Sequence, residues 1–238
     1  MNLNNKNALV TGATGGLGSE IVAALCKSGS RVFITGRNRS SLEVMSDKFG
    51  DHCLGFLECD LEKEDEIKLL VSCAQRASTF KRGNIDILIN CAGIFPVSSV
   101  EEAEIEDFDR CINVNVRAPF ILSKLLYPAM KESGWGRIVN IGSSSAYGGF
   151  QNTSIYCASK HALLGLSRSM YDEFKNKGVR VFSISPGSIQ TSMGEKVQNQ
   201  DYSTFMDPKE IADFISKVIS YDANMILEEV RLNRVCIR

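Results

Sequence analysis

Three tyrosines in this chain each stand four residues before a lysine: Tyr127 and Lys131 in "YPAMK", Tyr156 and Lys160 in "YCASK", and Tyr171 and Lys175 in "YDEFK". On a helix such pairs share a face. A phenol beside an ammonium is a proton donor, because the cation stabilises the phenolate left behind. Three occurrences show how little the spacing says alone. Which pair does chemistry depends on the elements that carry it.

Short, β-branched, nearly continuous apolar runs at 7–12, 31–36, 53–59, 86–93, 137–143, 179–187 and 225–233 read as strands buried on both faces. Helical patterns lie between them at 16–28, 39–49, 62–80, 104–132, 154–177 and 208–220. Asp207 and Pro208 mark the start of the last helix as N-cap and first helical residue. Alternation of strand and helix predicts βαβ units. With no linker in view, the expectation is an α/β fold: one doubly wound Rossmann-type domain over 1–238. Its sheet is mainly parallel, of about seven strands, with helices on both faces.

In that architecture ligands bind beyond the carboxyl ends of the strands. A helix that follows a strand begins at that edge and ends at the opposite one. Tyr127 falls late in helix 104–132. Tyr171 lies 15 residues beyond Tyr156, about 22 Å along the same helix. Both pairs read as packing and solvated-face residues. Tyr156 and Lys160 fall in the first turns of helix 154–177, at the ligand edge, with the small Cys157, Ala158 and Ser159 between them. The helix N-terminus also favours a phenolate.

Bulk properties exclude several classes. A net charge of −1 offers no surface for nucleic acid or an anionic membrane. No apolar run reaches the ~18 residues that span a bilayer. "MNLNNKNALV" lacks the apolar core of a signal peptide, so a cytoplasmic location is expected. The eight cysteines show no Cys-x-x-Cys spacing and only His52 and His161 could join them, so buried free thiols are expected rather than a metal site. His52 reads as a loop residue. His161 points about 100° away from Lys160 and reads as packing.

"TGATGGLG" (11–18) follows the first strand and opens the first helix. Glycines there permit a tight turn and close approach of a pyrophosphate to the backbone, whose charge the helix N-terminus binds. No Gly-Lys-Ser/Thr follows, so it is not a P-loop. With "NCAG" (90–93), "NVNV" (113–116), "IGSSS" (141–145), "YCASK" and "PGSIQT" (186–191) in order and in register, the chain resembles the short-chain dehydrogenase/reductase family over nearly its whole length. Within the family it is most similar to 3-oxoacyl-carrier-protein reductases. Two departures are plain: Cys91 stands where the family has a second Asn, and no glycine follows Gly194 in the tail.

The resemblance implies a catalytic group of Asn115, Ser143, Tyr156 and Lys160. It implies cofactor contacts from Gly12, Thr14, Gly16, Leu17, Gly18, Arg37, Asp60, Leu61, Asn90, Ala92, Gly93, Tyr156, Lys160, Pro186, Gly187, Ile189 and Thr191. Ser143 is matched among three adjacent serines because it lies 13 residues before Tyr156. The implied reaction passes hydride between NADP(H) and a small-molecule carbonyl or secondary alcohol. Tyr156 would act as general acid. A free tyrosine titrates near ~10, and Lys160 is expected to lower that value. Ser143 would hydrogen-bond the substrate oxygen. Asn115 stands four residues before Pro119, which has no N–H, so its carbonyl loses a helical partner and could hold a water that relays protons toward Lys160.

NADP(H) rather than NAD(H) is expected from "ITGRN" (34–38). Where NAD-specific relatives carry an acid for the ribose 2′-hydroxyl, this chain has Gly36 followed by Arg37, a residue able to grip a 2′-phosphate. Asp60 would meet the adenine edge. A homodimer or homotetramer is implied, built on apolar residues of the two long helices such as Ile121, Leu122, Leu125, Leu163, Leu164 and Leu166. The competing readings are a non-catalytic dinucleotide sensor or scaffold on the same fold, and an isomerase or dehydratase using tightly held cofactor.

Overall fold

A computed structural model describes residues 3–78, 84–197 and 200–235. The strands are β1 (Asn7–Val10), β2 (Arg31–Gly36), β3 (Cys53–Glu58), β4 (Ile87–Asn90), β5 (Gly136–Ile141), β6 (Val179–Pro186) and β7 (Glu229–Leu232). The helices are α1 (Gly16–Lys27), α2 (Arg39–Phe49), α3 (Glu64–Ala77), α4 (Ile105–Ile112), α5 (Ala118–Ser133), α6 (Ser154–Phe174) and α7 (Pro208–Ile219). The strands form one sheet in the order β3-β2-β1-β4-β5-β6-β7, and every pairing among the described residues is parallel. This is the expected doubly wound α/β fold.

Strand side chains alternate between two apolar layers. Ala8, Val10, Ile87, Ile89, Val139, Phe182 and Ile184 pack with Ile21 of α1, Leu42 of α2 and Ile215 of α7. Leu9, Leu88, Ile138 and Val181 pack with Leu70 of α3, Leu122 of α5 and Phe174 of α6. Both layers are required because a sheet buried on two faces has no polar side to offer water. The chain winds outward to β3, returns, and crosses to β4 beside β1. The carboxyl ends of β1 and β4 therefore diverge at the topological switch point, where such folds open a crevice.

Asp207 caps α7 as expected, accepting from the Lys209 N–H at 2.8 Å. The expected helix 62–80 runs as α3 to Ala77, and its last two positions lie outside the described residues. The expected single helix 104–132 is α4 and α5 joined through a π-helical turn at Asn113–Arg117. The Ala118 N–H bonds the carbonyl of Asn113, five residues back. Pro119 removes the donor that an α-helix would aim at Asn115, and the chain responds by widening one turn rather than by breaking.

Candidate active site

At the switch point lies a cleft of about 730 Å³. Its floor is the turn after β1. Gly12 adopts φ +63, and a Cβ there would lie 2.8 Å from the Ala92 Cα, two residues past the end of β4. A Cβ at Gly18 would lie 2.1 Å from the Gly12 carbonyl oxygen. Neither position tolerates a side chain, so the turn sits flat against the neighbouring strand end. Thr11 completes it. Its hydroxyl donates to the Ile89 carbonyl (3.3 Å) and accepts from the Cys91 and Ala92 amides (3.1 Å each). Thr11 thereby clamps β1 to the chain at and beyond the end of β4, a role the glycine motif does not announce.

Helix α1 then starts with no side-chain cap at Gly15 and no acidic residue in its first turn. The first amides are therefore free to meet an anion, and the helix dipole favours one. Across the cleft, Thr191 packs on Gly16, where a Cβ would come within 2.7 Å of its Cγ2. A diphosphate fits this cradle. At the outer end, exposed Arg37 lines the cleft and makes no ion pair among the described residues, whereas Arg39 is committed to Glu43 at 2.9 Å. Asp60 lines the same end; its carboxylate accepts the Glu62 N–H at 3.1 Å.

Every residue expected to contact cofactor lines the cleft except Asn90. Asn90 shares strand parity with Leu88 and turns toward α6. It donates to Asn140 Oδ1 at 2.7 Å, and Asn140 donates to Ser167 Oγ at 2.9 Å. Its side chain belongs to a buried polar chain under α6, a correction to the expectation.

Asn115 also lies behind the cleft wall, 1% exposed. Its Oδ1 accepts the Ile94 N–H (2.9 Å), and its Nδ2 donates to the Ile94 carbonyl (3.0 Å) and to Ser159 Oγ (3.0 Å). The amide thus ties the chain beyond β4 to α6. The Ser159 hydroxyl donates to the Tyr156 carbonyl at 2.8 Å. Asn115→Ala would strand these buried partners. It is expected to cost about 1–3 kcal/mol for each group left unpaired, read as a lowered denaturation midpoint. Unchanged stability would contradict this role.

Tyr156, Lys160 and Ser143 meet at the inner end. Ser143 follows Gly142, where a Cβ would lie 2.2 Å from Ser185 Oγ, and it opens a tight 3₁₀ turn, accepting the Ser145 N–H at 3.1 Å. Tyr156 is 8% exposed, with Phe95 set edge-on at 4.7 Å. Lys160 is 5% exposed and donates to the Ile141 carbonyl at 2.8 Å. Burial pushes the Tyr156 phenol up to about 12, with the Ser143 hydroxyl pulling the other way. Burial also pulls Lys160 down to about 8. The expected lowering of Tyr156 by Lys160 is therefore corrected. The ammonium turns to the strand carbonyl, 5.6 Å from the phenol ring centroid, and desolvation of the phenol prevails.

The other two pairs are elsewhere. Tyr127 stacks on Phe174 at 3.8 Å, and Lys175 pairs with Asp172; neither tyrosine lines the cleft. His161 is exposed rather than packed, with Nδ1 2.8 Å from the Cys157 carbonyl oxygen of its own helix. His52 ends a short 3₁₀ turn. The seven described cysteines are unpaired, and Cys236 lies outside the described residues. Among the described residues, no helix is long and apolar enough to cross a membrane.

The fold and this cleft define an α/β protein built for a dinucleotide. Residues 6–202 match the family model for short chain dehydrogenase, and the chain belongs to that family. It is 32% identical over 230 residues to the 3-oxoacyl-[acyl-carrier-protein] reductase FabG of Rickettsia typhi, covering 93% of this chain and 92% of that relative. It is similar to the 3-ketoacyl-(acyl-carrier-protein) reductase of Brucella melitensis complexed with NADH. There the TM-score is 0.88 at 27% identity, with 97% of each chain covered. It is also similar to a metagenomic short-chain oxidoreductase in complex with NADP (TM-score 0.83, 27% identity, 98% of this chain and 99% of that one). The chain is accordingly an oxidoreductase of the CH–OH/C=O type.

Proposed function

We propose that the protein is an NADP(H)-dependent carbonyl reductase of 3-oxoacyl type. The observation that carries the reading is the convergence of Ser143, Tyr156 and Lys160 at the inner end of a cleft whose floor accepts a diphosphate. The bound nicotinamide would supply or accept hydride. The chain's own groups do the rest. The Tyr156 hydroxyl, held protonated by burial, delivers its proton to the carbonyl oxygen. Ser143 donates to the same oxygen as negative charge develops there. The Lys160 ammonium lies 5.6 Å from the Tyr156 ring centroid. The Asn115 main-chain carbonyl, which Pro119 cannot bond, is the group offered for a water relay to that lysine. At the mouth, exposed Val97, Phe150 and Met193 line the cleft beside exposed Gln151, Asn152 and Gln200, and the three apolar side chains give an acyl chain a surface to lie on.

Arg37 is the proposed selector of NADP(H). A charge-assisted contact with the 2′-phosphate contributes about 1.5–3 kcal/mol, roughly 10–150-fold in preference. Measuring kcat/KM with NADPH and NADH for wild type and Arg37→Ala tests this. The wild type should prefer NADPH and the variant should lose most of that preference. A wild type that prefers NADH, or an unchanged ratio, would remove Arg37 from the role.

A homodimer or homotetramer belongs to the same proposal. Of the residues expected at its contact, Ile121, Leu122, Leu163 and Leu164 are buried in the subunit's own core, and the partly buried Leu125 and Leu166 pack against it. Ile105 and Phe108 of α4 and Phe120 of α5 are exposed instead. Light scattering at micromolar concentration should give at least twice the mass of one chain; a monomer would contradict the assembly.

A further inference from the structure

The proposed chemistry gives no task to the segment 229–234, yet both walls of the reactive end are fastened to it. The turn that begins at Ser143 closes at Tyr147, whose amide bonds the Ser144 carbonyl at 3.1 Å while the Ala146 amide bonds the Ser143 carbonyl at 2.9 Å. The Tyr147 hydroxyl donates to Glu229 Oε1 of β7 at 3.0 Å. Arg168 of α6 holds the same carboxylate with two bonds, Nε to Oε2 at 2.8 Å and Nη2 to Oε1 at 3.0 Å. The Arg231 guanidinium lies 4.2 Å from the Tyr147 ring centroid.

The opposite wall is held by the same segment. The Gly187 N–H donates to the Leu232 carbonyl at 2.9 Å. Arg234 donates to Thr204 Oγ1 at 2.9 Å and to Gln200 Oε1 at 2.7 Å, and its guanidinium lies 5.0 Å from the Phe205 ring centroid. Gln200 lines the cleft.

An exposed Arg–Glu pair alone contributes little. Here the carboxylate is already fixed by two guanidinium bonds when it receives the phenol, so little further entropy is lost in the charge-assisted bond to Tyr147. Arg168 also holds Glu229 below the usual carboxylate range, which keeps it an acceptor.

We propose that β7 and the residues after it position the reactive end of the cleft: Glu229 sets the Ser143 turn through Tyr147, and Arg234 sets the 200–205 segment. Glu229, Tyr147 and Arg234 are positioning residues, and the kinetic part of the proposal rests on the carbonyl-reductase reading.

Backbone hydrogen exchange tests it directly. In Glu229→Ala, exchange at 144–147 should rise about tenfold, one net hydrogen bond's worth, with 200–205 unchanged. Glu229→Gln, which keeps an oxygen for Tyr147, should restore most of the protection. Arg234→Ala should loosen 200–205 alone. Unchanged exchange, or an increase spread evenly over the sheet, would overturn the proposal. Kinetically, Glu229→Ala should lower kcat about tenfold with KM for NADPH unchanged. Because it acts through Ser143, adding Glu229→Ala to Ser143→Ala should cost no more than Ser143→Ala alone. Additive losses would overturn the link to Ser143. If the wild type reduces no carbonyl compound, the functional reading fails, while the exchange data still decide the positioning role.

Discussion

Replacing Tyr156 by phenylalanine should lower turnover at least ~10²-fold, the range for loss of a general acid, while leaving NADPH affinity little changed. The Tyr156 phenol lines the cleft and stays protonated through the neutral range, since burial raises its pKa to about 12. Phenylalanine keeps the ring and its edge-on contact with Phe95 at 4.7 Å, so the fold and the dinucleotide cradle should persist. Tyr127→Phe and Tyr171→Phe carry the same chemical change away from the cleft. Their turnover should be nearly that of wild type. The raised pKa also fixes a direction for pH. Alcohol oxidation needs the phenolate, so its rate should climb with pH across the neutral and alkaline range, whereas carbonyl reduction should not. Equal losses at all three tyrosines would contradict the assignment.

Lys160→Met should abolish useful turnover, again by ~10² or more, and at the same time make the protein more stable at neutral pH. The lysine is 5% exposed, and burial lowers its pKa from an ordinary 10.5 to about 8. Below about 8 it is charged in both folded and unfolded chains, and the folded state bears the full cost of desolvating it. Between about 8 and 10.5 the unfolded chain binds more protons than the folded one, so wild-type stability rises with pH through that window. Methionine removes the charge and fills a similar volume. Set against the lost bond to the Ile141 carbonyl, the gain should be roughly 1–3 kcal/mol, and the pH-dependent rise between 8 and 10.5 should flatten. Denaturant titration at pH 7 and pH 9.5 reads both effects. A variant that is less stable at pH 7 would show that Lys160 is retained for structure rather than for chemistry.

Much of this site could be read in the sequence because it depends on local rules. Gly12 and Gly18 announce a turn with no room for Cβ, and the structure shows the two contacts that forbid one, with Ala92 and with the Gly12 carbonyl itself. Tyr156 could be separated from Tyr127 and Tyr171 because helix direction in a βαβ fold fixes which end meets the ligand edge. Asn90 was misplaced although the signal was present: it shares the parity of Leu88, so its side chain faces α6. The π turn at Asn113–Arg117 was only half legible. Pro119 marks a missing donor, but whether a helix then kinks or widens depends on how its flanks pack against α3 and α6. The pKa values of Tyr156 and Lys160 follow from burial, which is set by residues far along the chain. The Tyr147–Glu229 bond joins residues 82 positions apart and leaves no local trace.

The most direct test of the account is the decay of NADPH absorbance with a panel of carbonyl compounds, from 3-oxoacyl thioesters to small polar and sugar-like ketones, run with wild type and Tyr156→Phe side by side. The account predicts carbonyl-dependent NADPH consumption by the wild type, strongest with apolar 3-oxo substrates, and a loss of at least ~10² in the variant. Tight NADPH binding with no carbonyl-dependent consumption across the panel, or consumption that survives in Tyr156→Phe, would contradict it.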